Sequence, residues 1–344
     1  MSNNPVTFAV CGFGRIGKRH AKIIHEHERA ELTAVIDPDS TQQKYLGKLD
    51  IEAAYYPSMK DYWNLNPADN RAEVINICVP NGLHAPLSIE ALERGCHVVI
   101  EKPMALNRRD CEGIIEAALQ SSKKVFVVKQ NRYSPPSKWL KQVVSGGVLG
   151  EIYLVKINCL WNRDKRYYKE GDWHGTLDMD GGTLFTQFSH FVDIMYWIFG
   201  DITDISARFE NFNHDGMIEF EDTGIVNFKF LTGGEGSIHY TTSCWDKNME
   251  SSMIVIGSNG SLKIGGQYMD KIEYCHIKDY EVPELPPTNP PNDYGPFKGS
   301  AANHHYVIEN VIDTLSGKSQ IKTSAREGMK VVDIIERIYK QRKC

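Results

Sequence analysis

The chain has 344 residues, of which 41% are hydrophobic and 24% are charged, and its formal net charge is −5. This composition is typical of a globular protein and excludes disordered, collagenous and coiled-coil chains. The length allows about two domains, and the acidic balance offers no broad positive field to nucleic acid or to an anionic membrane.

The first third of the chain alternates short apolar segments with amphipathic ones. The apolar segments are bounded by Gly, Pro, Asn or charged residues, which is typical of strands buried on both faces of a parallel sheet. Strands that alternate with helices in this way predict an α/β domain with a doubly wound parallel sheet. The predicted strands are Val6 to Val10, Leu32 to Ile36, Val74 to Val79, Val98 to Ile100 and Val125 to Val128, and the predicted helices are Lys18 to Glu28, Ala85 to Arg94 and Arg109 to Ser121.

After residue 130 the segments alternate polar with apolar residues instead. Mostly polar residues interleave with Val226, Phe228 and Phe230, as in a strand with one face in a core and the other in water. We therefore predict a second, α+β domain with a large, mainly antiparallel sheet. Its predicted strands are Ile152 to Leu160, Ile205 to Phe212, Gly224 to Leu231, Ser237 to Thr242 and Met253 to Ile256, and one helix from Gln187 to Phe199 interrupts them.

The last part of the chain contains a proline-rich passage and two predicted helices. Residues 281–296 carry too many prolines for a helix or a strand and predict a loop. In the last helix, Ser324 and Glu327 form a capping box ahead of an apolar helical face. The pattern predicts one domain at residues 1–129 and a second at 130–344, with the terminal helices as candidates to pack back on the first.

A glycine-rich loop joins the first predicted strand to the first helix. Residues 12–17, GFGRIG, form a G-x-G-x-x-G pattern in the strand–loop–helix order that dinucleotide binding requires. The glycines allow a tight turn, close approach of a pyrophosphate and close helix–strand packing. Asp37, twenty residues beyond Gly17, would accept hydrogen bonds from a ribose diol and repel a 2′-phosphate. The first domain is therefore predicted to be a Rossmann domain in which NAD is favoured over NADP. Arg15 could pair with the pyrophosphate of either cofactor, so NADP stays open as an alternative.

A second motif, Glu101-Lys102-Pro103, follows the predicted strand from Val98 to Ile100. It emerges at the carboxyl end of a parallel strand, where open α/β sheets bind ligands. Other motifs accompany it along the chain: Pro80-Asn81-Gly82-Leu83-His84, Gln130-Asn131-Arg132, GVLGEI at 147–152, and Gly181-Gly182 ahead of His190 and Asp193. In these motifs and their order the chain resembles the glucose–fructose oxidoreductase/inositol dehydrogenase (Gfo/Idh/MocA) family over essentially its whole length.

The resemblance implies NAD-dependent oxidation of an alcohol, and it assigns site residues. The catalytic assignment of Lys102 also has a chemical basis, because an ammonium beside the oxygen of a secondary alcohol stabilises developing alkoxide character. Asn81, Glu101 and Gln130 are expected to line the nicotinamide ribose and ring, and His84 to brace the loop beside them. The predicted cofactor-binding residues are Gly12, Phe13, Gly14, Arg15, Ile16, Gly17, Asp37, Pro80, Asn81, His84, Glu101, Lys102 and Gln130.

His190 is the second predicted catalytic residue. An imidazole exchanges protons near neutral pH, so it could take the alcohol proton as a general base. Thr186, His190 and Asp193 recur at spacings of four and three and are predicted to share a helical face. The family often has Asp where this chain has Thr186, so no Asp–His pair is predicted. Lys102 and His190 remain as the proton-handling residues, and which of them is the base stays open.

A basic and aromatic segment follows the first strand of the second domain. Residues 161–169, WNRDKRYYK, carry four cationic side chains against one carboxylate. Guanidinium groups bind carboxylate or phosphate, and tryptophan or tyrosine rings stack on a sugar or a base. With DWHGT at 172–176 and residues 181–201, this segment resembles the nucleotide-sugar branch of the family. The predicted substrate-binding residues are Lys102, Arg163, Arg166, Tyr167, His174, Thr186, Gln187 and His190.

This branch implies a definite reaction. Its members oxidise the 3-hydroxyl of UDP-N-acetylglucosamine-uronate (UDP-GlcNAcA) to a ketone in bacterial surface-polysaccharide (O-antigen) biosynthesis, ahead of a pyridoxal-phosphate aminotransferase. They are tetramers that hold NAD(H) tightly, and some regenerate the cofactor with 2-oxoglutarate. We therefore expect a homotetramer whose other partners are small molecules.

Two alternatives stay open at this point. A dehydrogenase of a free polyol such as inositol would act on a neutral substrate without UDP, and removal of the Arg163 and Arg166 charges would cost it no activity. A non-catalytic NAD-sensing protein would keep the glycine loop and dispense with the hydride-transfer residues. The presence of both Lys102 and His190 argues against this second alternative.

The remaining sequence features indicate a cytoplasmic protein without a metal. The eight cysteines are scattered and form no C-x-x-C pair, which favours a reducing compartment. The apolar run near the N terminus reaches the glycine loop after about six residues, too few for a secretion signal, and no segment approaches the roughly 20 apolar residues of a membrane helix. The twelve histidines include no H-x-x-x-H pair, so we predict no bound metal.

Overall fold

The computed structural model describes residues 4–295 and 297–342. The chain forms two compact units. The first unit takes in Met1–Val128 and His304–Met329, and the second takes in Lys129–Asn303 and Lys330–Cys344. The stretch from 304 to 329 belongs to the first unit; the sequence analysis placed it within 130–344 and named the terminal helices as candidates to pack back on the first domain.

The first unit is an α/β domain in which strands and helices alternate, as the sequence predicts. Its apolar strands are buried; for example, all four residues of the strand Val74–Ile77 are inaccessible to solvent. In chain order its elements are β1 (Val6–Cys11), α1 (Arg15–His25), β2 (Ala30–Ile36), α2 (Lys44–Lys48), β3 (Ala54–Tyr56), α3 (Met59–Leu65), β4 (Val74–Ile77), α4 (His84–Glu93), β5 (His97–Ile100), α5 (Arg108–Ser121) and β6 (Val125–Val127).

The described strands of the first unit form one parallel sheet in the order β3-β2-β1-β4-β5-β6. The order reverses between β1 and β4, so the loops that follow these two strands diverge and leave a crevice at their carboxyl ends. Open α/β sheets bind ligands at such a point. The glycine loop follows β1, and the segment from Pro80 to His84 follows β4.

The second unit is an α+β domain. The elements of the chain from residue 135 onward are α6 (Pro135–Ser145), β7 (Ile152–Leu160), α7 (Thr183–Thr186), α8 (Ser189–Phe199), β8 (Ile202–Glu210), β9 (Thr223–Phe230), β10 (Glu235–Thr241), β11 (Glu250–Gly257), β12 (Gly260–Gly265), β13 (Lys271–Ile277), β14 (Pro291–Asp293), β15 (Lys298–Ala301), α9 (His304–Leu315) and α10 (Ala325–Tyr339). Of these, α9 belongs to the first unit, and α10 runs from the first unit into the second.

The large sheet of the second unit has the order β13-β12-β11-β7-β10-β9-β8. Its neighbours pair antiparallel except for β7 and β10, which pair in parallel. Along β9, Val226, Phe228 and Phe230 are buried while the residues between them are exposed. Helix α8 covers this face: Phe199 lies 5.3 Å from Phe230, centroid to centroid. The predicted mainly antiparallel sheet is confirmed, and burial of each such ring contributes about 1.5–3 kcal/mol.

Short and edge elements are where the structure differs from the sequence prediction. Strand β3 has three residues and β13 is an edge strand exposed along most of its length, so neither carries the buried apolar pattern that marks a strand. Strand β8 begins at Ile202, three residues before the predicted start. The proline-rich loop ends in the short strand β14, which starts at Pro291 and pairs with β15; a proline is tolerated at the first residue of a strand.

The helix that closes the chain begins as the sequence predicts. The Ser324 amide donates to Glu327 Oε2 at 3.1 Å, and the Glu327 amide donates to Ser324 Oγ at 3.4 Å, which is the reciprocal pattern of a capping box. Val331, Ile334 and Ile335 behind it are buried. None of the helices in the described part of the chain combines the length and the apolar character needed to cross a bilayer.

Candidate functional site

The glycine loop has the geometry that dinucleotide binding needs. Gly12 has φ +88°, and a Cβ there would lie 2.5 Å from the Cys78 carbonyl oxygen. A Cβ on Gly17 would lie 1.9 Å from the Gly12 carbonyl oxygen, whereas a Cβ on Gly14 would meet nothing within 4 Å. Gly14 is the N-cap of α1, whose first amides have no acceptor within the helix. The open space beside them fits the pyrophosphate of NAD.

Asp37 lies next to this loop, directly after β2. Its Oδ2 accepts a hydrogen bond from the Phe13 amide at 2.6 Å, and its Oδ1 accepts one from the Asp39 amide at 2.9 Å. The Tyr55 hydroxyl donates to the Asp37 carbonyl at 2.9 Å and fixes the main chain there. Each carboxylate oxygen can accept a second hydrogen bond. Asp37 therefore fits the hydroxyl groups of an NAD ribose.

His84 connects the segments that follow β4 and β5. Its Nδ1 lies 2.6 Å from the Pro103 carbonyl and its Nε2 lies 2.9 Å from the Val79 carbonyl. Burial lowers the pKa of His84, against the two carbonyl contacts, which act in the opposite direction. Asn81 is buried in the short helical turn Asn81–Leu83, within the segment that follows β4. The imidazole thus holds the segment with Asn81 and the segment with Lys102 at a fixed separation.

Lys102 is half-buried directly after β5 and joins Pro103 through a cis peptide bond. Glu101 before it is buried, with Oε1 3.0 Å from His20 Nε2 and 3.5 Å from His304 Nε2. The ligand atoms of these three residues lie within 4.8 Å of one another, a spacing at which they could hold a metal ion. They come from distant parts of the chain, so no sequence motif shows this cluster. That Glu101 lines the nicotinamide ribose stays a prediction.

In the second unit, Arg163 is buried with its guanidinium among neutral oxygens. Its Nε donates to Gln187 Oε1 at 2.7 Å, and its Nη1 donates to the Asn162 carbonyl at 2.5 Å and to Asn248 Oδ1 at 3.2 Å. Its Nη2 donates to the Lys298 carbonyl at 3.3 Å. Burial lowers the pKa of Arg163, but a guanidinium keeps its proton at any ordinary pH. None of these four contacts supplies a negative charge.

Aromatic rings surround this guanidinium. Its central carbon lies 4.8 Å from the ring centroid of Trp161, 5.0 Å from that of Phe297 and 5.4 Å from that of Tyr167. The Tyr167 hydroxyl accepts a hydrogen bond from Gln187 Nε2 at 2.7 Å, and the Tyr167 ring packs 4.5 Å from the His174 ring. The structure thus gathers four of the predicted substrate-binding residues: Arg163, Tyr167, His174 and Gln187.

Arg166 differs from Arg163 because it has carboxylate partners. Its Nη2 lies 2.8 Å from Asp164 Oδ2 and its Nη1 lies 3.4 Å from Asp246 Oδ1. The hydrogen bond to Arg166 lowers the pKa of Asp164. Asp246 is distant in sequence, so the positive surplus counted in residues 161–169 is smaller in the folded protein. Of the two arginines, Arg163 is the better candidate for binding an anion.

The predicted helix from Gln187 to Phe199 is wrong at its start. Thr186 ends α7, and α8 begins at Ser189, because Phe188 between them has φ −115° and ψ 3° and packs 5.3 Å from the Trp161 ring. Thr186 therefore does not share a helix with His190. The Thr186 hydroxyl instead donates to the buried carboxylate of Asp180.

His190 and Asp193 both lie on α8 and are buried. Asp193 accepts two hydrogen bonds from Arg132, at 2.8 Å and 2.7 Å, and lies 3.5 Å from Lys129 Nζ. This buried ion pair explains why a carboxylate is tolerated on an apolar helix. The QNR motif contributes to it through Arg132, a role that sequence reasoning missed because the partners are 61 residues apart.

Gln130, another predicted cofactor residue, is buried in the second unit. Its Nε2 donates to Ser300 Oγ at 3.3 Å. Within the described residues its Oε1 is a buried acceptor without a hydrogen-bond partner. An orphaned acceptor of this kind fits a donor on a bound ligand. That Gln130 lines the nicotinamide stays a prediction.

A buried His–Asp pair that the sequence analysis did not identify anchors the main chain of Arg163. His214 Nδ1 lies 3.0 Å from Asp222 Oδ2, and His214 Nε2 lies 2.5 Å from the Arg163 carbonyl. Asp222 also accepts hydrogen bonds from the Asn213 amide and the Thr223 hydroxyl. Although burial raises the pKa of Asp222, these hydrogen bonds outweigh it and the pKa is lowered.

Asp222→Asn is expected to lower the free energy of unfolding by about 3–5 kcal/mol at pH 7, because it leaves a buried pair broken. A carboxyl with a lowered pKa stabilises the fold above its unfolded pKa of about 3.9, and this contribution is lost as the pH falls through the folded value. The difference between parent and variant should therefore shrink below about pH 4. Urea unfolding at pH 7 and pH 3 measures it.

The matched control is Asp204→Asn, which removes an ion pair between exposed side chains, Asp204 and Lys229. Such pairs contribute about 0–1 kcal/mol. Equal losses for the two variants would contradict the anchoring role of Asp222.

Two family models match the chain. "Oxidoreductase family, NAD-binding Rossmann fold" matches residues 6–129, and "GFO/IDH/MocA C-terminal domain" matches residues 138–263. Together they cover more than half of the chain. Among curated proteins, inositol 2-dehydrogenase of Salmonella typhimurium is 26% identical over 195 residues, which are 56% of this chain and 54% of that protein.

Two solved structures are similar over nearly the whole chain. The WlbA dehydrogenase from Bordetella pertussis, solved with NADH and UDP-GlcNAcA, is 29% identical, with a TM-score of 0.87 over 98% of this chain and 96% of that one. The WlbA dehydrogenase from Chromobacterium violaceum, solved with the same two molecules, is 30% identical, with a TM-score of 0.88 over 99% of this chain and 94% of that one.

Proposed function

Because the chain belongs to the GFO/IDH/MocA family of oxidoreductases and carries its NAD-binding Rossmann domain, we propose that it oxidises the 3-hydroxyl of UDP-GlcNAcA to a ketone with NAD. The observation that carries the choice of substrate is the environment of Arg163. This side chain is 3% exposed, and the four hydrogen bonds that it makes within the described residues go to neutral oxygens.

A buried cation without a counter-charge is costly, by several kcal/mol, and an anionic ligand would offset that cost. The uronate carboxylate or the diphosphate of UDP-GlcNAcA supplies such a charge. The rings of Trp161 and Tyr167 beside Arg163 suit the apolar face of a sugar or a base. A neutral polyol has neither group, so it would leave the Arg163 charge uncompensated.

The similarity to the two WlbA dehydrogenases supports the same substrate, since both were solved with UDP-GlcNAcA. The inositol dehydrogenase relative favours the runner-up, oxidation of a free polyol, but it matches only about half of the chain. The two candidates differ in whether the substrate is an anion. The buried Arg163 charge is therefore the feature that separates them.

We assign each part of the oxidation to a residue of the chain or to the cofactor. Bound NAD supplies the hydride acceptor. Lys102 presents an ammonium to the 3-hydroxyl oxygen and stabilises the negative charge that develops there, and His190 or Lys102 takes the hydroxyl proton. The residues that would hold the cofactor are those of the glycine loop, Asp37, Asn81 and Gln130.

We also propose a pathway, a compartment and an oligomeric state for this reaction. The product ketone is suited to an aminotransferase, as in the surface-polysaccharide pathways of the similar branch, and 2-oxoglutarate would regenerate NAD from NADH. We place the protein in the cytoplasm as a homotetramer. The seven cysteines in the described part of the chain are free thiols, which supports a reducing compartment.

The assay that tests the proposal follows reduced nicotinamide by absorbance. Purified protein with NAD is expected to form NADH with UDP-GlcNAcA and not with myo-inositol. Bound NADH in the purified protein would hide a single turnover, so the nucleotide released on denaturation is first identified by mass. If that nucleotide is NADH, 2-oxoglutarate is added to the assay to reoxidise the bound NADH. Turnover of myo-inositol with none of UDP-GlcNAcA would establish the runner-up, and no turnover of either would contradict both.

Arg163→Gln is expected to raise the KM for UDP-GlcNAcA by about 10- to 100-fold, since hydrogen bonds to a charged partner contribute about 1.5–3 kcal/mol. Arg163→Lys keeps the charge and should lose less. Steady-state kinetics measure both, with thermal melting to confirm folding. Arg208→Gln, which changes an exposed arginine on β8, is the matched control. An unchanged KM in a folded Arg163→Gln protein would contradict the assignment.

A further inference from the structure

Three buried titratable side chains from separate elements contact one another, and one of them, Glu101, directly precedes Lys102 in the chain. His20 lies on α1, Glu101 directly follows β5, and His304 is the first residue of α9. Their exposed fractions are 1%, 6% and 1%. Two contacts go to Glu101 Oε1, from His20 Nε2 at 3.0 Å and from His304 Nε2 at 3.5 Å, and Glu101 Oε2 accepts the Lys102 amide at 3.1 Å. We call these three side chains the Glu101 cluster.

The hydrogen-bond partners define the proton positions in the Glu101 cluster. Burial lowers the pKa of His304 to about 4, so its ring is neutral at neutral pH and carries one proton. That proton belongs on Nε2, which faces the carboxylate, and Nδ1 is left without a hydrogen-bond partner within the described residues. Asn76 Nδ2 lies 2.9 Å from His20 Nδ1, so Nε2 is the His20 nitrogen that faces the carboxylate.

The carboxylate of Glu101 is therefore ionised and held by three N–H donors. Burial acts to raise its pKa, but the hydrogen bonds from His20 and His304 outweigh burial and hold the pKa well below its usual range. A carboxylate with several N–H donors keeps its charge and its orientation. Its position is fixed by helices that are far apart in sequence, rather than by the loop to which it belongs.

The main chain on both sides of the Lys102 side chain is held by buried groups. The Glu101 carboxylate accepts the Lys102 amide, and His84 Nδ1 lies 2.6 Å from the carbonyl of Pro103. The Glu101 amide in turn donates to the Ile77 carbonyl at 3.0 Å. These contacts leave the backbone that carries Lys102 little freedom.

We propose that Glu101, held by His20 and His304, is a positioning residue that sets where the Lys102 ammonium meets the reacting hydroxyl. The inference rests on the proposed function, since it needs Lys102 to act in catalysis. Displacement of a reacting group by about 1 Å costs about 100-fold in rate, so the effect of the cluster appears in turnover rather than in binding.

A double-mutant cycle with Glu101→Gln and Lys102→Ala tests the proposal on the whole protein, with the substrate that gives turnover. Glu101→Gln is expected to lower kcat by about 10- to 100-fold while the KM for the sugar substrate stays within about threefold. In the Lys102→Ala background the same change should alter kcat by less than about twofold, because the group that Glu101 positions is gone.

The histidines provide an independent readout. His304→Phe removes the N–H donor and should lower kcat as Glu101→Gln does, whereas His304→Gln keeps a donor and should restore kcat to within about threefold of the parent. His25→Gln, a change at an exposed histidine of α1, is the matched control. Thermal melting identifies any variant that loses activity by unfolding, and the His304→Gln protein keeps the test valid in that case.

Each failure has a distinct signature. If the loss of kcat in the double variant equals the product of the losses in the two single variants, the positioning role is overturned and the proposed function stays intact. A Lys102→Ala protein with parental turnover would overturn the role of Lys102 in the proposed function, and the positioning role of Glu101 with it, while the choice of substrate would stand. One equivalent of a transition metal in the purified protein, lost in His304→Phe, would show that the Glu101 cluster is a metal site and overturn the positioning role as well.

Discussion

Lys102→Ala is expected to lower kcat for UDP-GlcNAcA by about 10²–10⁴-fold, the usual contribution of a group that moves a proton or stabilises charge in the transition state. The side chain follows β5 at the carboxyl edge of the sheet, where it is half-buried, and its backbone amide is fixed by Glu101. Steady-state kinetics at saturating NAD measure the loss, and the binding of NADH, followed by its fluorescence, should stay within about threefold.

His190→Asn belongs to the same test, because the two residues are the proposed proton handlers. A loss of similar size is expected, since the amide keeps hydrogen-bonding capacity but cannot accept a proton near neutral pH. Lys124→Ala and His25→Asn change exposed residues of the same types and serve as controls. If Lys102→Ala and His190→Asn each kept turnover within about threefold of the parent, the assignment of proton handling would be wrong.

The second large effect is expected in the glycine loop, where two substitutions of the same size should fail for different reasons. Gly14→Ala should fold normally, because a Cβ there meets nothing within 4 Å, and should weaken NADH binding by at least about tenfold, because the methyl group enters the space assigned to the pyrophosphate. Gly17→Ala should be unstable, because its Cβ would lie 1.9 Å from the Gly12 carbonyl oxygen.

Thermal melting and NADH titration of the two variants separate these effects. Overpacking against backbone costs about 1–3 kcal/mol or more, so Gly17→Ala should melt well below the parent while Gly14→Ala melts with it. Full NADH affinity in Gly14→Ala would show that the pyrophosphate does not lie beside the N-terminus of α1.

Local patterns explain why much of the fold could be predicted. The glycine loop, the buried strands around it and the capping box of Ser324 and Glu327 depend on residues that are neighbours in sequence, so their spacing is informative. Strand β9 was identifiable for the same reason, because one face of it lies in a core and the other in water. The NAD-binding fold follows from such features alone.

The parts that could not be predicted depend on partners distant in sequence. Phe188 breaks the predicted helix because its ring packs beside Trp161, and Arg166 is neutralised in part by Asp246, 80 residues away. His304 contacts Glu101 although all the strands of the large sheet lie between these two residues in sequence. No spacing rule covers such pairs, because tertiary packing alone decides which of many polar residues meet.

The oxidation of UDP-GlcNAcA is tested most directly by the mass of the sugar nucleotide recovered after incubation with the protein, NAD and 2-oxoglutarate. The account predicts a UDP-sugar two hydrogen atoms lighter than the substrate, and reduction with borodeuteride should then place deuterium at C3. Recovery of unchanged UDP-GlcNAcA from a protein that oxidises a free polyol under the same conditions would contradict it.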